Sequence, residues 1–102
     1  MNQEEINQVL SYLKTNEIKF VGLSADWIDE VWSLNKYKSK HHECGTFLML
    51  IDIDTGINEP YFKLVERTFD LETEEYFDDQ FDSFIGGDFK RLMKVLKDFK
   101  SR

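Results

Sequence analysis

The stretch Gly45-Thr46-Phe47-Leu48-Met49-Leu50-Ile51-Asp52-Ile53-Asp54 decides the fold. Phe47, Met49, Ile51 and Ile53 alternate onto one face of an extended chain. Leu48 and Leu50 occupy the other, the pattern of a strand covered on both sides over part of its length. Asp54-Thr55-Gly56-Ile57-Asn58-Glu59-Pro60 then supplies turn residues. Tyr61 to Phe69 returns as a partner strand, with Phe62 and Leu64 opposite Tyr61, Val65 and Phe69. The expected unit is an antiparallel hairpin with a longer loop.

Upstream, Ile6, Val9, Leu10 and Leu13 fall at i, i+3, i+4 and i+7 and predict a helix over 2–15. Asn2 is placed to cap it, Glu4 and Glu5 sit in its first turn, and Asn16 is the residue expected to end it in the left-handed region. Ile18 to Leu23 reads as a strand. Residues 25–38 fit two patterns, and a short turn or helical piece at 25–29 followed by a strand near 30–37 is favoured. Lys36, Lys38 and Lys40, followed by His41 and His42, read as a solvated strand end or loop.

Downstream, residues 69–88 hold eight acids and no base. Read as a helix from Thr73, they put Phe77, Phe81, Phe84 and Ile85 on one side and Glu74, Glu75, Asp78, Asp79 and Asp82 around the other. Gly86-Gly87 stops that helix. Asp88 opens a basic one with the stripe Phe89, Leu92, Met93, Leu96 and Phe99. The predicted fold is therefore α+β. It is a single domain over 1–102, with an antiparallel sheet of three or four strands, an N-terminal helix and a C-terminal acidic/basic helix pair.

The 102 residues are 41% hydrophobic and 32% charged, a globular composition with a modest core. The net charge of −7 argues against an ordinary nucleic-acid binder and against docking on an anionic membrane. One cysteine, Cys44, excludes an internal disulfide framework and suits a reducing compartment. The longest apolar run, Phe47 to Ile51, is too short to span a bilayer, and the first residues show no export signal. The expectation is a cytoplasmic protein.

Three short motifs raise specific chemistries. Asp54-Thr55-Gly56 resembles the catalytic turn of aspartic proteases, where a dimer of single-domain chains supplies paired carboxylates. That family is nearly all β, this chain begins and ends with amphipathic helices, and the triplet also suits an ordinary turn. Asp52 to Gly56 echoes a calcium loop, yet glycine falls fifth rather than sixth and position twelve is Lys63. His41-His42-Glu43-Cys44 sets ligand types side by side with no second pair elsewhere, unlike a zinc site. No catalytic residue, cofactor or metal is assigned.

Charge is segregated along the chain: −4 over 1–35, zero over 36–68, −8 over 69–88 and +5 over 89–102. Aromatic residues are 15% of the chain, and rings beside acids suit anchoring on a cationic protein. The candidate partner-binding residues are Asp70, Glu72, Glu74, Glu75, Tyr76, Asp78, Asp79 and Asp82. A second cluster is Asp26, Asp29 and Glu30 beside Trp27 and Trp32. Two arrangements stay open: the acidic stretch faces outward, or it lies against the basic C-terminal helix and is neutralised there.

At the level of class, a short cytosolic chain with this charge and the acid-aromatic run at 69–82 resembles the small acidic inhibitors of phages and mobile elements, anti-CRISPR proteins and anti-restriction DNA mimics. The resemblance implies a non-catalytic inhibitor whose partner is basic, a nuclease or other nucleic-acid-binding protein, with no direct contact to nucleic acid or membrane. The chain itself would be a monomer or homodimer. Immunity proteins against nuclease toxins share the same traits, and a bacterial adaptor without inhibitory role is a further alternative. A dimeric aspartic hydrolase using Asp54 is the remote one.

Overall fold

A computed structural model describes residues 1–22, 28–51 and 59–100. The elements are α1 (Gln3–Thr15), β1 (Lys19–Gly22), β2 (Ile28–Lys38), β3 (His42–Ile51), β4 (Tyr61–Asp70), β5 (Tyr76–Phe84) and α2 (Phe89–Lys100). The described strands form one antiparallel sheet in chain order, β1-β2-β3-β4-β5. Each described strand pairs with its sequence neighbour, and among the described strands β1 and β5 are the outermost. The hairpin read around Gly45 to Phe69 is β3 with β4, in unbroken register from His42↔Asp70 to Ile51↔Tyr61.

The α1 stripe forms as its spacing requires: Ile6, Val9 and Leu13 are buried. The Asn2 side chain accepts the Glu5 N–H at 2.8 Å while the Glu5 carboxylate accepts the Asn2 N–H, a reciprocal capping box. Asn16 ends the helix without entering the left-handed region; the left-handed residue is Glu17, with φ 56°. Asp88 opens α2 through its carbonyl, which accepts the Leu92 N–H. Its carboxylate instead accepts the Ile85 N–H across the Gly86-Gly87 turn.

Both helices contribute to one core on one face of the sheet. Ile6, Val9 and Leu13 of α1 and Leu92 and Leu96 of α2 share it with Trp32, Leu48, Leu50, Phe62, Leu64 and Phe84. The opposite face carries a smaller buried cluster, Val31, Met49, Ile51, Tyr61 and Val65, with Phe47 packed against it. The double-sided alternation of Phe47 to Ile51 is thus explained by two clusters, one on each side of β3.

Two expectations need correction. The sheet has five described strands rather than three or four, and the extra one is the acidic segment. Residues 76–84 are strand β5, not a helix, so no acidic/basic helix pair exists in the described fold. The cause is a β-bulge. Leu64 pairs with Asp82 but Val65 pairs with Gln80, which leaves Phe81 as an extra residue. Phe77 and Phe84 are seven apart and would face opposite sides of a regular strand. The inserted residue puts both on the helix-bearing face, opposite Thr68 and Phe62. A bulged strand therefore imitates the i, i+7 spacing of a helix. The Asp, Phe and Tyr of this segment are also weak helix formers beside the Lys- and Leu-rich α2. The strand expected near 30–37 is β2, which already starts at Ile28; residues 25–27 of the expected turn lie outside the described residues.

Candidate functional site

Pairing register sorts the strand charges by face. On the helix-bearing side, successive cross-strand rows read Glu30–Leu50–Phe62–Phe84, then Trp32–Leu48–Leu64–Asp82, then Asn35–Thr46–Glu66–Asp79, then Tyr37–Cys44–Thr68–Phe77. The apolar rows lie under the helices and the polar rows extend beyond them. Every Asp, Glu, Lys or Arg in these rows is an acid. His42–Asp70 forms the last row, at the turn end of the sheet.

Beyond the apolar rows lies a groove of about 380 Å³ between α2 and the sheet, whose lining includes Tyr37, Glu66, Asp82 and Asp98. The Tyr37 hydroxyl donates to the Glu66 carboxylate at 2.5 Å. That bond, with a smaller contribution from desolvation, pushes the phenol up to about 12. Residues 29 positions apart are joined here, a link invisible along the chain.

The sequence-predicted residues divide into three groups. Asp70, Asp78 and Asp82 are engaged by groups of this chain, Asp78 at the surface. The Asp70 carboxylate accepts the N–H groups of Glu72 (2.9 Å) and Thr73 (3.2 Å), closing the turn before β5. Asp78 receives two hydrogen bonds from Arg67 on the adjacent strand, at 2.7 and 2.9 Å. Asp82 accepts from Arg91 of α2 at 2.6 Å, and the same guanidinium lies 4.3 Å from the Phe84 ring centroid and 3.4 Å from Asp88. Neutralisation by the basic helix thus runs through Arg91.

The second group faces solvent. Glu72 is exposed, with His41 at 3.3 Å; Glu74, Glu75 and Asp79 are exposed and form no ion pair among the described residues. Glu74 holds a left-handed conformation, φ 59°, which turns the chain into β5. Between the acids stands Phe77, 55% exposed, a ring that the helical reading places on the apolar side and not among the binding residues. Alternation along a bulged strand is the signal that would have found it. The third group is less accessible to description: Tyr76 lies in β5 and Asp29 in β2 with side chains outside the described residues, and Asp26 falls outside them altogether, as do Trp27 and Asp54. Glu30 is half-buried beside Trp32 and Phe20, remote in the sheet order from β5.

His41-His42-Glu43-Cys44 diverges: His41 turns to Glu72, His42 to Asp70 at 3.9 Å, Glu43 to Lys38 at 3.4 Å, and the Cys44 thiol to Thr68. Adjacent strand residues point to opposite faces, so they cannot converge on one ion. Among the described residues no group of three His, Cys, Asp or Glu is placed to hold a metal, and no helix is long and apolar enough to cross a membrane.

The engaged carboxylates make stability acid-sensitive. Backbone N–H groups hold Asp70 below the usual carboxylate range, Arg67 does the same for Asp78, and the Ile85 N–H followed by Arg91 does so for Asp88. A carboxyl lower in the folded state contributes stability that is full above its unfolded value, about 4, and is lost as pH falls through the folded value. Urea midpoints are therefore expected to drop below about pH 4, and Asp78→Asn is expected to flatten that drop. A midpoint independent of pH between about 5 and 2 contradicts the assignment.

No family model, no curated protein and no solved structure matches the chain.

Proposed function

We propose that this chain is a non-catalytic inhibitor that lays the acidic turn before β5, and β5 itself, on a cationic surface of a nucleic-acid-handling protein, in the manner of anti-CRISPR-like proteins. One observation carries the reading. Glu74, Glu75 and Asp79 face solvent around the exposed Phe77, while Arg67 and Arg91 of this chain take up Asp78 and Asp82. Exposed carboxylates steer a basic partner into contact, and a ring among them offers the desolvated anchor that long-range charge cannot supply.

The edge position adds a second means of attachment. Among the described residues β5 pairs only with β4, so its outer N–H and C=O groups face away from the sheet. Such an edge accepts a partner strand through main-chain hydrogen bonds, while charge selects a basic one. The same acids keep two copies of this edge apart by repulsion.

The test is competition. A nucleic-acid-handling protein blocked by this chain is expected to be released by a polyanion such as heparin or duplex DNA and by about 0.3 M salt, because all act on the same cationic surface. A complex that forms and persists unchanged under both treatments overturns the reading.

A further inference from the structure

The helix-free face carries the opposite charge. By register, Lys19, Lys36, Lys38, Lys63 and Arg67 lie on it, and the acids that register places there are Glu43 and Asp78. A chain of net charge −7 therefore has one face with a local excess of base. The expectation that the protein does not touch nucleic acid rests on a total that averages over both faces.

The shape of that face is specific as well. One cross-strand row reads Lys36–Gly45–Arg67–Asp78, and Gly45 leaves its centre without a side chain. The Phe47 ring leans over the vacated position: a Cβ on Gly45 would lie 2.9 Å from the ring. Beside that ring is an open depression of about 240 Å³, with Phe47 and Phe69 as its rings and Lys36, Arg67 and one acid, Glu43, at its sides. The Arg67 guanidinium, whose edge binds Asp78, stands 5.9 Å from the Phe47 centroid. Lys63 lies over Tyr61 on the same face at 5.4 Å.

We infer that this face is a platform for a short stretch of single-stranded nucleic acid, with a base seated in the depression beside the Phe47 and Phe69 rings and adjoining phosphates drawn to Lys36 and Lys63. Flat apolar rings alternating with cations match the alternation of base and phosphate, which an acidic protein surface does not share. A duplex keeps its bases stacked inside and offers a flat sheet only its backbone. The inference goes beyond the inhibitor reading and uses neither its exposed acids nor Phe77.

The probe is a fluorescent oligothymidylate of about ten nucleotides at about 50 mM salt, read by anisotropy. Saturable binding is expected, weakening as salt rises. Lys36→Glu with Lys63→Glu is expected to weaken it at least about tenfold. Lys90→Glu with Lys94→Glu changes the net charge equally on exposed positions of α2 and is expected to leave it within about twofold. Phe69→Ala, checked for folding by circular dichroism, is expected to cost about fivefold or more through lost stacking. Absence of wild-type binding overturns the inference, as does equal loss in the two charge variants. So does tighter binding of a duplex of the same length or of polyglutamate.

Discussion

Phe62→Ala is expected to destabilise the protein by about 3–5 kcal/mol, at the top of the range for a single truncation in a core. Phe62 is fully buried on β4, paired with Leu50 on one side and Phe84 on the other. It belongs to the cluster that the two helices share, so its removal leaves a void bordered by three strands and the helix layer. Close-packed surroundings of this kind collapse only in part, which adds a cavity cost to the lost transfer energy. A domain of this size has about 5–15 kcal/mol in total, and each kcal/mol moves its midpoint by about 4–8 °C. Thermal unfolding is therefore expected to move down by on the order of 20 °C, with an unchanged urea m-value. A loss under about 1 kcal/mol would mean that the helices do not close over this residue.

That core was largely legible in the chain. The α1 stripe and the alternation from Phe47 to Ile51 are local periodicities, and local periodicity survives folding unless a bulge intervenes. It intervenes at Phe81. One residue inserted between Gln80 and Asp82 converts strand spacing into apparent helical spacing, so the acidic segment reads as a helix and folds as a strand. The functional geometry was less legible for a different reason. Whether Glu66 shares a face with Asp79, or Lys36 with Arg67, depends on register across strands, which no local pattern contains. Net charge conceals this sorting entirely: one number stands for an acidic side and a basic side.

The identity of the acidic stretch as the outermost of the described strands on its side sharpens what its charges can do. Glu74→Lys with Asp79→Lys is expected to slow association with the basic partner by about 10- to 100-fold, the range through which electrostatic steering moves on-rates. Dissociation should change less, because charges that remain hydrated at a rim act mainly during encounter. Stability should move little, since both side chains are exposed and neither forms an ion pair among the described residues. The control is Glu17→Lys, compared with Asp79→Lys alone, which changes the net charge by the same amount. Glu17 precedes β1, at the opposite edge of the sheet from β5 and about 19 Å away across four strand spacings. Screening at physiological salt acts over about 8 Å, so a charge there barely reaches a partner docked on β5. Stopped-flow association of both variants separates the possibilities. Slowing confined to the β5 variant places recognition at this edge, whereas equal slowing means that the partner senses only total charge and the edge is no site at all. Phe77→Ala then reports on the other half of the contact. Unlike the acids, an anchoring ring is expected to act on the off-rate, and its effect should persist at salt concentrations where steering has vanished.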